Sequence, residues 1–299
     1  MPCGKISSVE YYSPLRYPGG KGKLAPFVES VFETNNLCDA YYVEPFAGGA
    51  SVALSLLVNE YARRIYINDL DRSIYAFWHS VLNETEALCR LIRNTPVTVG
   101  TWKRQKQIQR NKQTADVLSL GFSTFFLNRT NRSGILNGGI IGGLSQCDRW
   151  KIDARYNKPE LIKRIERVAF YRHRIHLSNT DATQFVSKIR NHLPPGTLLY
   201  FDPPYYVKGR ALYHNYFLHE DHKGLSDLVR DLTAYHWIVS YDNTPEIRKM
   251  YTGFKRLQYS LHYCAASSRN GHEVMFFSEK TKRPRKITTP FPMARREAS

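Results

Sequence analysis

Asp202-Pro203-Pro204-Tyr205 follows the apolar run Leu198 to Phe201, so an acidic side chain stands at the carboxyl end of a predicted strand, where open α/β sheets keep their sites. Two prolines fix φ and remove two backbone donors. The loop therefore presents carbonyl oxygens and a carboxylate, acceptors only. A group that brings only donors suits it, and an amino group on an aromatic base brings two N–H. The Asp202 carboxylate and the Pro203 carbonyl suffice to hold both and to favour a tetrahedral, nucleophilic nitrogen, with Tyr205 stacking on an extruded base. Alone, the tetrapeptide reads equally well as a strand-ending turn with a capping aspartate.

A second segment narrows the choice. In Val43-Glu44-Pro45-Phe46-Ala47-Gly48-Gly49-Ala50, Gly48 and Gly49 let the backbone approach a ligand, and the helix that follows offers free N–H groups to a carboxylate. A nucleoside-bearing amino acid fits such a crevice. Asp69 ends the next strand, about where dinucleotide folds accept ribose hydroxyls, although the spacing departs from G-x-G-x-x-G. It also stands where it can cap the helix expected near Ser73. Upstream, Arg16-Tyr17-Pro18-Gly19-Gly20-Lys21 joins one ring and two cations through a flexible turn. That lines a pocket with π surface and charge, or simply leads into a helix from Leu24 to Phe32.

The elements that position these residues alternate. Strands are predicted at 41–44, 64–68, 173–177, 197–201, 236–241, 256–262 and 273–278, with helices between, which makes a sheet of about seven strands covered on both faces. Between about Tyr75 and Asn157 the pattern changes to long helices. There the run Lys103, Arg104, Lys106, Arg110 and Lys112 precedes a Gly/Asn-rich stretch from Asn131 to Gly143. Residues 72–158 thus read as an inserted, mainly helical subdomain between the catalytic segments 1–71 and 159–280. Residues 281–299 read as a basic flexible tail without apolar periodicity.

The chain has 299 residues, a net charge of +17 and 13% aromatic residues. That charge asks for an anionic partner, and rings among cations suit bases among phosphates. Cys3, Cys38, Cys89, Cys147 and Cys264 are odd in number and scattered, with neither metal-knuckle nor disulfide spacing. No metal site is expected. No leader and no run long enough for a bilayer is visible, so the cytoplasm is the expected location.

Taken in order, the aromatic-x-Gly-Gly-Lys segment, the Glu-Pro-Phe glycine loop and Asp-Pro-Pro-Tyr resemble the Dam-type adenine-N6 DNA methyltransferases. The resemblance runs nearly to Ser278. It includes Phe125-Phe126-Leu127-Asn128-Arg129-Thr130, Arg155-Tyr156-Asn157-Lys158-Pro159, Ile238-Val239-Ser240-Tyr241-Asp242 and Glu273-Val274. It implies a Rossmann-like mixed sheet that uses S-adenosylmethionine, and methylation of N6 of a flipped adenine in double-stranded DNA, without metal or covalent nucleophile.

By the same resemblance, Tyr17, Lys21, Asp69, Asp181 and Asp202 attend the cofactor, and Phe46 and Gly48 shape its loop. Asp202, Pro203, Pro204 and Tyr205 hold the target base. In the insert, Lys103, Arg104, Lys106, Arg129, Asn137 and Arg149 are expected on DNA. A restriction endonuclease is an expected functional companion.

Ala50 stands where the family's loop carries another glycine. The stretch Gly134 to Gly143 differs from the hairpin of members that read GATC, so that target is not transferred. Cytosine-N4 methylation, methylation of RNA or a protein amide, and DNA binding without catalysis are the competing readings. The intact tetrapeptide and glycine loop speak against the last.

Overall fold

In the computed structural model, residues 11–16, 21–207, 217–263 and 269–284 are described. Seven strands form one mixed sheet in the order β3-β2-β1-β4-β5-β7-β6. They are β1 (Ala40–Glu44), β2 (Ala62–Asn68), β3 (Ile175–Ser178), β4 (Leu198–Phe201), β5 (His236–Asp242), β6 (Lys255–Tyr263) and β7 (Arg269–Phe277). The first five pair in parallel, while β7 runs antiparallel between β5 and β6. The chain builds outward from β1 to β3, then returns to β4 on the other side of β1. The β1/β4 seam is thus the topological switch point, where the crevice of an open sheet lies.

The central strands β1, β4 and β5 are mostly apolar because both faces are buried there. Tyr42, Leu198, Tyr200, Ile238, Met275 and Phe277 belong to one core, while their neighbours Val43, Leu199, Phe201, Val239, Val274 and Phe276 belong to another. The first face packs on α1 (Ala25–Thr34) and α2 (Ser51–Val58). The second packs on α8 (Ala182–Ile189), α9 (His219–Asp231) and α10 (Pro245–Met250).

Between β2 and β3 stand α3 (Arg72–Asn83), α4 (Thr85–Asn94), α5 (Val99–Arg110), α6 (Val117–Thr130) and α7 (Lys158–Phe170). Their starts are written in the sequence: Asp71, Thr98, Asp116 and Asn157 cap α3, α5, α6 and α7 by accepting N–H groups of the first turn. Residues 131–157 form loops and turns, a short 3-10 helix at Arg132–Gly134 and one isolated bridge, Asn131 to Ile140. From Leu120 to Thr130, α6 is buried on every side, and its Phe125 and Phe126 share one core with Val28, Leu54 and Leu198. The helical segment and the sheet are therefore one packed body, not two bodies joined by a linker.

Candidate active site

Asp202 leaves β4 beside Ser240 of β5, the next pair in register after Phe201 and Val239. Ser240 Oγ donates to Asp202 Oδ1 at 2.7 Å, and the Tyr200 hydroxyl lies 3.0 Å behind Ser240 Oγ. The loop that follows is pinned at three points. Tyr205 donates its hydroxyl to Glu273 of β7, whose other oxygen accepts from Tyr259 at 2.5 Å. The Asp242 carboxylate accepts the N–H groups of Tyr206 and Val207. The Tyr206 hydroxyl meets His219 Nδ1 at 2.9 Å. Tyr205 is only 7% exposed, so its ring is a packed wall of the loop, and a base that stacks there must reach it at that wall.

Across the seam, the glycine loop is held by a different set. Asn68 donates to the carbonyls of Pro45 and Thr180, and Trp78 donates to the carbonyl of Gly48. Asp69 accepts the Gly48 N–H through Oδ2 and the Asp71 N–H through Oδ1, each at 2.9 Å. The helix cap belongs to Asp71, which accepts from Ser73 and pairs with Lys112, so the alternative of Asp69 as the cap is set aside. Lost hydration pushes the Asp69 carboxyl up to about 7. Gly48 has φ +48°, and Ala50 enters α2 with φ +47°, a left-handed conformation that costs an alanine more than a glycine.

Glu44 lies beneath this crevice, 4% exposed. Its Oε1 accepts the Tyr42 hydroxyl at 2.9 Å and the Ala53 N–H at 3.1 Å. Burial pushes it up to about 8, against the pull of those two bonds and with a further push from Asp202. Phe46 meets Phe217 edge-on at 5.6 Å. Phe217 in turn packs on His222, a buried imidazole that desolvation lowers to about 4.

The residues at the crevice fit a nucleoside-bearing group: Asp69 brings carboxylate oxygens, the acceptors that ribose hydroxyls need, and Gly48 leaves the backbone open to close approach. Asp181, expected near the cofactor adenine, caps α8 through Oδ1, which accepts from the Thr183 and Gln184 N–H groups and from the Thr183 hydroxyl. Tyr17 lies outside the described residues. Lys21 opens the turn Lys21–Leu24, and its side chain lies outside them too.

The residues expected on DNA separate into two groups. Lys103, Arg104, Asn137 and Arg149 are exposed, with the Arg149 guanidinium 5.4 Å over the Trp150 ring. Arg129 is not on the surface. It is 7% exposed on the all-round buried helix α6 and donates Nε to the Pro14 carbonyl at 2.7 Å. Burial holds its guanidinium down, to about 9. The expectation of a phosphate contact is therefore corrected to a structural tie. Its neighbour Asn128 brackets Arg16, accepting its N–H and donating to its carbonyl, each at 2.7 Å. Lys106 is half-buried, reaching the Leu136 carbonyl at 3.2 Å over the Trp102 ring.

Sequence reasoning missed Tyr200, Ser240, Asp242 and Glu273 as site residues. The signal that found Asp202, a polar residue at the end of an apolar strand, also marks Ser240 and Asp242. Glu273 carries no such mark, since it pairs with Asp242 only through the antiparallel strand β7.

Among the described residues no helix is long and apolar enough to cross a membrane, and no group of His, Cys, Asp or Glu is arranged to hold a metal ion. No curated protein matches the chain. Among solved structures, a SAM-dependent methyltransferase from Agrobacterium tumefaciens is similar over 86% of this chain and 62% of its own, at 8% identity and TM-score 0.41. The chain thus spans less than two thirds of that protein. An rRNA methyltransferase from Streptomyces viridochromogenes is similar over 89% of this chain and 87% of its own, at 10% identity and TM-score 0.38. The D12 class N6 adenine-specific DNA methyltransferases match residues 17–263, and the chain, with its acceptor tetrapeptide and glycine loop on either side of the sheet's switch point, belongs to that family.

Proposed function

We propose that the chain methylates N6 of an adenine flipped out of double-stranded DNA, at a specific site, with Asp202 and the Pro203 carbonyl accepting the two N–H groups of the amine. The placement of Asp202 across the β1/β4 seam from the Gly48 loop supports this reading more than any other observation. The amine of a paired base lies inside the stack, and turning it out costs a few kcal/mol. When bound, S-adenosylmethionine supplies a methyl group already activated by its positive sulfur.

Gly48, Asp69 and Phe46 hold the cofactor, with Tyr17, Lys21 and Asp181 assigned to it by family resemblance. Asp202 orients and polarises N6, and the chain's main contribution is alignment at about 3 Å contact. The amine gives up its proton after the nitrogen becomes cationic, so no strong base is required.

The exposure of Lys103, Arg104, Asn137 and Arg149 supports a DNA face on residues 72–158, with phosphates gripped by the cations and base edges read by the loops. A DNA substrate favours the cytoplasm, and a site-specific methyltransferase pairs naturally with a restriction endonuclease for the same sequence.

Incubation with labelled S-adenosylmethionine and duplex DNA, then digestion to nucleosides, tests the reading. N6-methyl-2′-deoxyadenosine as the labelled product, lost in Asp202→Ala, supports it. Labelled N4-methyl-2′-deoxycytidine, or label retained in a folded Asp202→Ala protein, overturns it.

A further inference from the structure

We infer that Ser240 is a positioning residue for methyl transfer, holding the Asp202 carboxylate in one orientation, with Tyr200 holding Ser240 in turn; this rests on Asp202 being the group that takes the amine. A hydroxyl has one proton. Ser240 gives its proton to Asp202 Oδ1 at 2.7 Å, so at the 3.0 Å contact behind it Tyr200 must be the donor. The direction of the chain is thereby set: Tyr200 O–H to Ser240 O–H to Asp202.

The arrangement follows from strand register. Tyr200 pairs with Ile238 and Phe201 with Val239, so Asp202 comes level with Ser240 as β4 ends. Tyr200 and Asp202 project to the same face, two residues apart, and Ser240 reaches both. Tyr200 and Ser240 are 2% and 0% exposed, whereas Asp202 keeps partial exposure. The chain therefore starts in the dry core among Ile238 and Met275 and ends at the crevice.

A serine is not what this strand position needs for packing, because a buried hydroxyl costs stability unless it is bonded. Two of its contacts are to another buried hydroxyl and to the carboxylate of the acceptor tetrapeptide. Asp202 stands on a short strand end, and the Ser240 bond to Oδ1 fixes which way its carboxylate faces. A carboxylate turned away from the amine fails to align nitrogen with the methyl group, and such misalignment acts on kcat.

The full-length chain is assayed with duplex DNA as Ser240→Ala, Tyr200→Phe and the double variant. Folding is checked by circular dichroism and S-adenosylmethionine affinity by calorimetry. Ser240→Ala is expected to lower kcat about tenfold or more, the range for a bond to a charged group, with cofactor affinity within about twofold. Tyr200→Phe gives a smaller loss, and the double variant is expected to be no slower than Ser240→Ala, as the inference requires Tyr200 to act through Ser240.

Wild-type kcat in a folded Ser240→Ala protein, with Asp202→Ala inactive, overturns the inference and leaves the reading of Asp202 standing. Additive losses in the double variant, or a change confined to KM, overturn it as well. Full turnover in Asp202→Ala removes the reading of Asp202 and the inference with it. Should Ser240→Ala fail to fold, Tyr200→Phe decides alone: reduced kcat at unchanged cofactor affinity upholds the chain, and unchanged kcat rejects it.

Discussion

Asp242 accepts the backbone N–H of Tyr206 at 2.9 Å, and through its other oxygen the N–H of Val207 at 3.0 Å, so the end of one strand holds the loop that leaves its neighbour. Removing the carboxylate strands two amides. Asp242→Ala is expected to cost roughly 1–3 kcal/mol of stability and to lower kcat more than it weakens cofactor binding, which the proposal assigns to the other side of the seam. Denaturant unfolding and calorimetry read the two effects. Intact kcat would show that the prolines fix the loop unaided.

Ala50 and Ala53 lie three residues apart but obey opposite backbone rules. Ala50 has φ +47°, whereas Ala53 is inside α2. Ala53→Gly should destabilise by about 1 kcal/mol or more through helix propensity and a lost buried methyl. At Ala50 the released left-handed strain, about 1–2 kcal/mol, offsets similar losses, so Ala50→Gly should unfold within about 0.5 kcal/mol of the parent or above it. Equal costs at both positions would show that the loop relaxes around the alanine.

Glu44 makes stability depend on pH with a definite sign. Its folded-state value of about 8 lies above the ordinary 4.5 because the charged form is desolvated. The advantage of its neutral form is complete below pH 4.5 and is lost as pH rises toward 8. Glu44→Gln keeps an acceptor for Tyr42 and Ala53 and never ionises. In the ligand-free protein it should gain stability over the parent steadily from about pH 5 to 8. His222, depressed to about 4, weakens both proteins alike as pH falls below 6.5, and so cancels in the difference. Parallel melting curves across this range would show that Glu44 titrates normally.

The separation of the basic residues into exposed and buried ones changes what their removal does. Neutralising Lys103 and Arg104 together should flatten the slope of log affinity against log salt by up to about two units at unchanged cofactor affinity. Arg129→Ala should leave the slope alone and lower the melting temperature, because the Pro14 carbonyl loses a buried partner. A flattened slope in Arg129→Ala would return that residue to the DNA face.

The strand-end acids and the glycine turn were legible because each motif is contiguous and each sits where periodicity changes. Strand identity was legible for the same reason, with bounds displaced by a few residues: β3 starts at Ile175 where 173 was expected. The fate of Arg129 was not. Only its place on α6, a helix enclosed by α3, α4 and α5, takes it out of water, and nothing near it in sequence announces that enclosure. Ser240 lies in a segment that resembles the family, but nothing local marks its role, because its partner Asp202 lies 38 residues away and only the β4/β5 register brings them level. Asp181 illustrates the converse: its place after a strand suggested a ligand contact, and the same place makes it a helix cap.

The seam between β1 and β4 has a consequence for how the chain folds. Tyr42 pairs with Leu198, so the two loops of the site come from stretches separated by roughly 150 residues, a costly closure compared with the local hairpin of β6 and β7. All of α3 to α7 must be made before that pairing can close. During synthesis the glycine loop therefore waits for Asp202-Pro203-Pro204-Tyr205, and that tetrapeptide waits in turn for Ser240 and Glu273, which hold it. A chain that ends within α3 to α7 has one wall of the crevice without the other.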